Sequence, residues 1–516
     1  MTSPDRDLVF LTPIVPAATG NGLAMRSYLF LEAASAEFQV KVIVVPVAGA
    51  GSGAPPAGIR VLALPDRRQI AAALPELMGS AHWRQRISAA GPLPPLAALA
   101  PATLAAAAER LAGASAGAPV HVTRSYLAPL GIALAERMGS DWATLDLDDD
   151  DEMLERSAGN AGAAASYSRL IGVFGPLFRR VALAAPAEAA AVAARHGLAT
   201  SVLPNAVALP LPDPVPGSVV PRARAGAVPA GGLVPAIGLL FVGNLTYWPN
   251  AHAAGRLVHE ILPLVRRLTG RPVQVTLAGE AGADPALRAL ARVPGVTLTG
   301  FVPDLRPVYA AADVLVAPLA FGAGTRIKLL EAFSRGLPVV TTSVGAAGLG
   351  AVSGRHLLIA DTPAELARAV AGLAADAGLR SRLAGSALEF VGENYSHEVV
   401  IPRIRAFFRS AAAGAATGSE GRQVELIPRA CLTADVGGVS RAGRNEPGPG
   451  QHLPGSHIPE GGGRPDSAQP VPRRRQQAQL PDGRGRHPAA GDALSYPVAE
   501  LRSASRDADE VEPAKD

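Results

Sequence analysis

Residues 321–341 read FGAGTRIKLLEAFSRGLPVVT and collect groups suited to an anionic ligand. A glycine-rich loop, with Gly322, Gly324 and Thr325, runs into an amphipathic pattern that opens on Arg326 and Lys328. Glu331 follows three residues after the lysine, Gly336 ends the pattern, and Pro338-Val339-Val340 begins an apolar run. Glycines let backbone N–H groups approach phosphate oxygens, and a helix N-terminus adds partial positive charge. Two cations can neutralise a diphosphate, and a carboxylate one turn on can accept hydrogen bonds from two sugar hydroxyls. This is the chemistry of nucleotide-diphosphate binding. The plainer readings are solvated helix charges at Arg326 and Lys328, an i,i+3 ion pair between Lys328 and Glu331, and an ordinary strand-to-helix turn at Gly324 and Thr325.

Such a loop needs a strand behind it and a helix after it, and the chain supplies that pattern twice. Apolar strand-like runs fall at residues 8–14, 40–45, 59–64, 120–123, 143–147, 181–184 and 201–203, with helical patterns between them. A second series falls at 238–242, 273–278, 296–299, 314–317, 339–342 and 357–359. Continuous buried strands alternating with helices predict parallel sheets covered on both faces, an α/β class. The expected division is a first Rossmann-like domain over 1–209, a linker rich in Pro, Gly and Ala over 210–236, and a second Rossmann-like domain over 237–411. Residues 412–516 have no apolar period and are expected to be a disordered tail. A basic arm for RNA or membrane, around Arg473-Arg474-Arg475, is the functional alternative, and a frameshifted gene end a third.

The 516 residues are enough for two or three domains with sizeable cores. A net charge of +4 gives no reason to expect nucleic acid. One cysteine, Cys431, excludes a disulfide framework and fits a reducing compartment. The N-terminus carries Asp5 and Asp7 ahead of an apolar run broken by Pro13 and Pro16, which reads as a core strand and not a leader. No 18-residue apolar run appears, so a cytoplasmic enzyme with peripheral membrane contact is the expectation.

The order of four pieces resembles the donor half of family 4 (group 1) glycosyltransferases. They are Gly300-Phe301-Val302-Pro303-Asp304, YAAADVLVAP at 309–318, Gly324-Thr325-Arg326-Ile327-Lys328-Leu329-Leu330-Glu331-Ala332, and Gly336-Leu337-Pro338-Val339-Val340. Gly20-Asn21-Gly22 through Arg26, Asp146-Leu147-Asp148-Asp149-Asp150 and Pro204-Asn205-Ala206-Val207 resemble pieces of the first half more loosely. The resemblance implies the GT-B fold, two facing Rossmann-like domains whose last helices return toward the first. It implies transfer of a sugar from a nucleotide diphosphate to a glycan or lipid-linked acceptor, with retention, and neither metal nor cofactor. Many members carry an earlier glutamate where this chain has Ala323, and cations after the first donor-domain strand where it has Gly243-Asn244-Leu245. Arg326 and Lys328 must then carry more of the phosphate charge.

Arg326, Lys328 and Glu331 are thus the expected catalytic set, with Gly243, Asn244, Phe301, Gly324 and Thr325 at the donor. Phe301 could instead pack in the core, and Trp248 could stack on a sugar or plug its loop. Gly22, Arg26, His121, Arg124 and Asp149 are acceptor-side candidates, each also readable as structural. The acidic run 148–152 could hold a metal or cap a helix. Rival functions are a nucleotide-sugar epimerase or hydrolase on the same fold, and a catalytically silent glycan-binding partner. A nicotinamide oxidoreductase is disfavoured, because neither early glycine loop completes G-x-G-x-x-G. Truncation after Ala412 removes no periodic apolar segment, so melting temperature and donor binding should stay unchanged. A loss of several degrees would show that the tail packs on the fold.

Overall fold

A computed structural model describes residues 6–47, 56–64, 80–209, 235–322 and 326–416, with side chains to residue 413. The expected linker core, 210–234, and residues 417–516 of the expected tail lie outside the described residues. Seven strands form one parallel sheet: β1 Asp7–Thr12, β2 Gln39–Val44, β3 Ile59–Val61, β4 Val120–Thr123, β5 Ala143–Asp148, β6 Arg180–Leu183 and β7 Thr200–Val202. Their spatial order is β3-β2-β1-β4-β5-β6-β7. Six more form a second parallel sheet: β8 Ile237–Val242, β9 Val273–Ala278, β10 Val296–Leu298, β11 Val314–Ala317, β12 Val339–Thr341 and β13 Leu358–Ile359. Their order is β10-β9-β8-β11-β12-β13. Each order reverses once, between β1 and β4 and between β8 and β11, and ligand crevices of doubly wound sheets open at such points.

The helices that matter to the site begin there. The first, α1 (Gly22–Ser35), is capped by Asn21, whose Oδ1 accepts from the Leu23 N–H at 2.8 Å. The helix α2 (Asp151–Ser157) is capped by Asp150, which accepts from the Met153 N–H at 3.1 Å. After β6 comes α3 (Pro186–His196). In the second domain α4 (Trp248–Arg256) starts just after the β8 loop, with Pro249 in its first turn. The glycine loop after β11 leads to α5 (Ile327–Ser334), with Arg326 at the N-cap position. The chain closes with α6 (Ala377–Tyr395) and α7 (His397–Ala416). The sequence reading expected α5 over 326–335; Arg326 has extended backbone (ψ 91°) and so stands outside the helix it was expected to open.

The last helix returns to the first domain. Val400, Ile404, Phe407 and Phe408 of α7 pack with Phe10, Phe30, Phe38 and Trp142 in one core cluster. Phe408 meets Phe30 and Phe38 edge-on, with ring centroids 6.3 and 6.2 Å apart. The residues of β8–β12 and their helices form a separate core that also takes Tyr395 of α6. One short link, Ser396, therefore joins a helix packed on the second domain to one packed on the first. Phe408 is fully buried, so Phe408→Ala should cost about 3–5 kcal/mol, read as a lower denaturation midpoint.

Candidate functional site

At the reversal between β8 and β11 two helix N-termini, those of α4 and α5, converge on one lysine. Lys328 Nζ donates to Asn250 Oδ1 at 2.7 Å, and Asn250 Nδ2 donates to the Asn244 carbonyl at 2.9 Å. The ammonium also lies 4.4 Å from the centroid of the Phe241 ring. Burial pushes the lysine pKa down to about 7, helped by the nearby Arg326 charge and opposed by Glu331. A Cβ on Gly243 would fall 2.9 Å from both Lys328 Nζ and Asn250 Nδ2, so a side chain there would displace the ends of both groups. Gly279, at φ +145°, supports the turn from β9: a Cβ there would come within 1.9 Å of the Gly243 carbonyl oxygen.

Glu331 is buried, not on the helix surface. Tyr309 donates its hydroxyl to Glu331 Oε2 at 3.0 Å, and Arg335, one turn on, stands 3.8 Å from Oε1. Burial raises the Glu331 pKa, against the pull of Arg335, Tyr309 and Lys328. The surface ion pair with Lys328 is thus replaced by two partners the sequence reading passed over. Tyr309 is fully buried, with the Arg335 guanidinium 4.5 Å from its ring centre.

Arg326 folds against Gly322, where a Cβ would lie 2.6 Å from its Nη2. Gly324 and Thr325, like Ala323, lie outside the described residues. Asn244 uses its side chain locally, accepting from the Thr246 N–H at 2.9 Å and the Thr246 hydroxyl at 2.6 Å. Phe301 is 66% exposed, which removes the core-packing alternative. Its neighbour Gly300 accepts from the Gly279 N–H at 3.1 Å, which ties this backbone to the turn after β9. Trp248 packs on Phe321 at 4.8 Å, plugging the loop after β11.

Across the cleft the acceptor-side candidates separate into two groups. Arg26 and His121 do not reach a ligand surface. Arg26 is 1% exposed and grips Asp146 with two bonds, Nε at 2.7 Å and Nη2 at 2.6 Å, while Nη1 donates to the Leu203 carbonyl at 3.0 Å. His121 is fully buried between Phe30, stacked at 5.1 Å, and Phe10 and Phe408, and its Nδ1 is 2.9 Å from Thr144 Oγ1. Burial, with the Arg26 charge, pushes its pKa down to about 3. It is a neutral core residue that helps bind α7.

Gly22, Arg124 and Asp149 do face the second domain. A Cβ on Gly22 would lie 3.3 Å from Ile327 Cδ1, so the first glycine loop touches the start of α5. Arg124 and Asp148 both take positive φ, 76° and 64°, at the ends of β4 and β5. Such strain costs on the order of 1–3 kcal/mol per residue and gathers at sites that use it. Arg124 Nη1 reaches Asp148 and Asp149, both at 3.5 Å, and Nη2 pairs with Asp151. Burial and Asp148 raise the Asp149 pKa well above the carboxylate range, while Arg124 and Arg326 of the facing domain oppose them. The rest of the acidic run is engaged: Asp150 caps α2 and pairs with Arg195, and Ser125 donates to Asp151. Among the described residues no three His, Cys, Asp or Glu side chains are grouped to hold a metal ion.

Comparison with known proteins agrees with this geometry. The family model described as glycosyl transferases group 1 matches residues 236–376. Residues 236–376 thus resemble a group 1 glycosyl transferase domain. Over 173 residues the chain is 25% identical to an uncharacterized 44.6 kDa protein in the cps region of Klebsiella pneumoniae, covering 32% of this chain and 44% of that one. The match thus spans less than half the length of that relative. Among solved structures, HepE of Anabaena in complex with UDP and glucose superposes with a TM-score of 0.55 at 15% identity, over 78% of this chain and 99% of that one. Sucrose-phosphate synthase of Thermosynechococcus elongatus gives 0.55 at 16%, over 79% and 100%. At such identities the likeness establishes the fold, and the fold is GT-B.

Asn250 and Tyr309 were the residues least visible in the sequence. Asn250 carried one usable signal: a polar residue one turn into a helix that follows a glycine turn. The buried Arg26–Asp146 pair gives a direct test of the division made above. Arg26→Ala leaves a buried carboxylate without its cation and should cost about 3–5 kcal/mol of stability. Guanidinium denaturation should show that loss; unchanged stability with a selective loss of transfer would return Arg26 to the acceptor side.

Proposed function

We propose that the protein transfers a sugar from a nucleotide-diphosphate donor to a glycan or lipid-linked acceptor. The observation that carries this reading is the Lys328 ammonium, buried beside Arg326 at two helix N-termini and paired with a neutral amide. A cation so placed favours an arriving anion, and the two neighbouring cations Lys328 and Arg326 match the charge of a diphosphate. Glu331, held by Tyr309 and Arg335, is assigned to the ribose hydroxyls, and the exposed Phe301 ring to the base. The Gly243 turn leaves room for the phosphates, and Gly324 and Thr325 are assigned to them on their sequence alone. The likeness to a fold seen with UDP and glucose in Anabaena HepE supports the donor class.

In this reading the bond from the anomeric carbon to the diphosphate breaks as the acceptor oxygen attacks from the same face. The acceptor proton passes to the departing diphosphate oxygen, so configuration is retained and no metal is invoked. Arg326 and Lys328 hold the charge that develops on the leaving group, where a fixed cation lowers the barrier most. Asp149, with its carboxyl pushed upward and Arg124 behind it, is suited to hydrogen-bond the acceptor hydroxyl. No helix among the described residues is long and apolar enough to cross a membrane. We place the enzyme in the cytoplasm, meeting a lipid-linked acceptor at the inner membrane face.

A thermal-shift panel of nucleotide diphosphates and their sugars tests the donor. A true ligand at about 100 times its Kd should add about 2.7 kcal/mol of stability. Product analysis with and without acceptor separates transfer from hydrolysis or epimerisation, and absence of donor turnover would leave the silent-partner reading. Arg326→Ala should lower turnover by roughly 10²–10³. Glu331→Gln should raise donor KM with less change in kcat, provided the ribose contact is equal in ground and transition states. Wild-type turnover in Arg326→Ala would remove the phosphate assignment. Unchanged donor affinity in Glu331→Gln, at an unchanged melting temperature, would make Glu331 a structural partner of Tyr309.

A further inference from the structure

We propose that Asn250 is the positioning residue of the diphosphate cradle: its amide holds the Lys328 ammonium at the Gly243 strand end until the donor phosphates replace it. The inference rests on the donor reading above. Asn250 sits in the first turn of α4 and faces two ways. Its Nδ2 is tied to the Asn244 carbonyl at 2.9 Å, which fixes the amide plane and turns Oδ1 toward Lys328 at 2.7 Å. The strand end leaves no slack, since a Cβ on Gly243 would strike both groups at 2.9 Å. The orientation of the lysine therefore depends on one side chain from another helix.

The neutral character of this partner is the point of the arrangement. A carboxylate at position 250 would hold Lys328 more strongly, but it would keep the ammonium neutralised and repel a diphosphate. An apolar residue would leave a buried ammonium without an acceptor, which favours the neutral amine. An amide orients the cation and surrenders it. The other charged groups near Lys328 do not take over this task. Arg326 repels it, and Glu331 is engaged by Tyr309 and Arg335. With a lysine pKa near 7 in the free protein, binding of a diphosphate should be accompanied by proton uptake above that pH.

The sign follows from linkage. A bound diphosphate favours the charged lysine and raises its pKa, so affinity is highest below about pH 7 and falls as pH rises through the window above it, by at most about tenfold per pH unit. Asn250→Asp raises the free lysine pKa and should flatten that dependence, while weakening binding at every pH. Asn250→Ala lowers the free lysine pKa. It should weaken binding about tenfold at neutral pH and start the decline at lower pH.

The experiment is calorimetric titration of the full chain with UDP, dTDP, GDP, ADP and inorganic pyrophosphate, in buffers of different ionisation enthalpy from about pH 6 to 9. Wild type, Asn250→Ala, Asn250→Asp and Lys328→Met are compared, with melting temperatures recorded for each. Support is proton uptake in wild type that Lys328→Met abolishes, and pH dependences that move in opposite directions in the two Asn250 variants. Equal weakening of both variants with the wild-type pH dependence would mean that Asn250 only holds the Asn244 turn, and the proposal falls while the donor reading stands. Unchanged affinity in both variants has the same consequence. If Asn250→Ala does not fold, the flattened or unchanged dependence in Asn250→Asp decides alone. Failure of wild type to bind any of these diphosphates removes the donor reading and this proposal together.

Discussion

A buried ammonium held by a neutral amide is the constraint around which the second domain is built. Lys328 sits against the glycine that follows β8, and a second glycine follows β9. β8 and β9 pair in register up to Val242 and Ala278, so Gly243 and Gly279 follow side by side. The Gly243 N–H donates to the Ala278 carbonyl at 2.9 Å, and Gly279 lies against the Gly243 carbonyl. A side chain at either glycine would push the turn into the space of the lysine. The Phe241 face offsets part of the desolvation, on the order of 0.5–2 kcal/mol for such a contact. The hydrogen-bond acceptor that the ammonium keeps is the neutral amide of Asn250.

The first domain treats its buried cation in the opposite way. Arg26 is matched by Asp146 and Asp148 and by a carbonyl from the end of β7, so its charge is fully answered inside the protein. That pair joins α1 to β5 and holds the sheet at its switch point. Arg124, one strand over, is matched by three aspartates while its own backbone stays strained. Asp148 shares that positive φ, and the following Asp149 feels the charge of Arg326. Buried cations are paired with carboxylates on one side of the cleft, whereas Lys328 on the other is paired with an amide. Such a division suits a frame that must not move and a cradle that must exchange partners.

Much of this was legible in the sequence, for physical reasons that also mark where legibility stopped. Strand positions were readable because buried parallel strands are continuous apolar runs, and β8, β9, β11 and β12 fall within a residue or two of the runs expected for them. The return of α7 was implied by family likeness, and its aromatic residues Phe407 and Phe408 supply the packing. The strand-to-helix connection ahead of α5 was readable because a glycine-rich stretch followed by an amphipathic pattern marks one. The roles of Arg26 and His121 were not readable. A polar residue near a strand end looks the same in sequence whether it faces a ligand or a buried partner 120 residues away, and Asp146 is that partner for Arg26. Glu331 was placed on the correct helix, but Tyr309 and Arg335 are chosen by packing, which no local pattern encodes.

The two domains approach through their smallest residues, and this links the frame to the cradle. Gly22 touches Ile327 at the start of α5, and Gly348, at φ +77°, would bring a Cβ within 2.9 Å of the Ala185 Cβ just before α3. Neither contact contributes much apolar area, so neither holds the domains firmly on its own. The firm connection is the passage from α6 to α7, where Tyr395 belongs to one core and Val400 to the other. The domains are thus anchored on one side by packed aromatic residues and meet near the site by close backbone approach. A larger residue at Gly22 or Gly348 would act as a wedge at the cleft while leaving both cores intact. Close approach also brings the Arg326 charge to bear on Asp149 across the gap, where it opposes the rise that burial and Asp148 impose on that carboxyl.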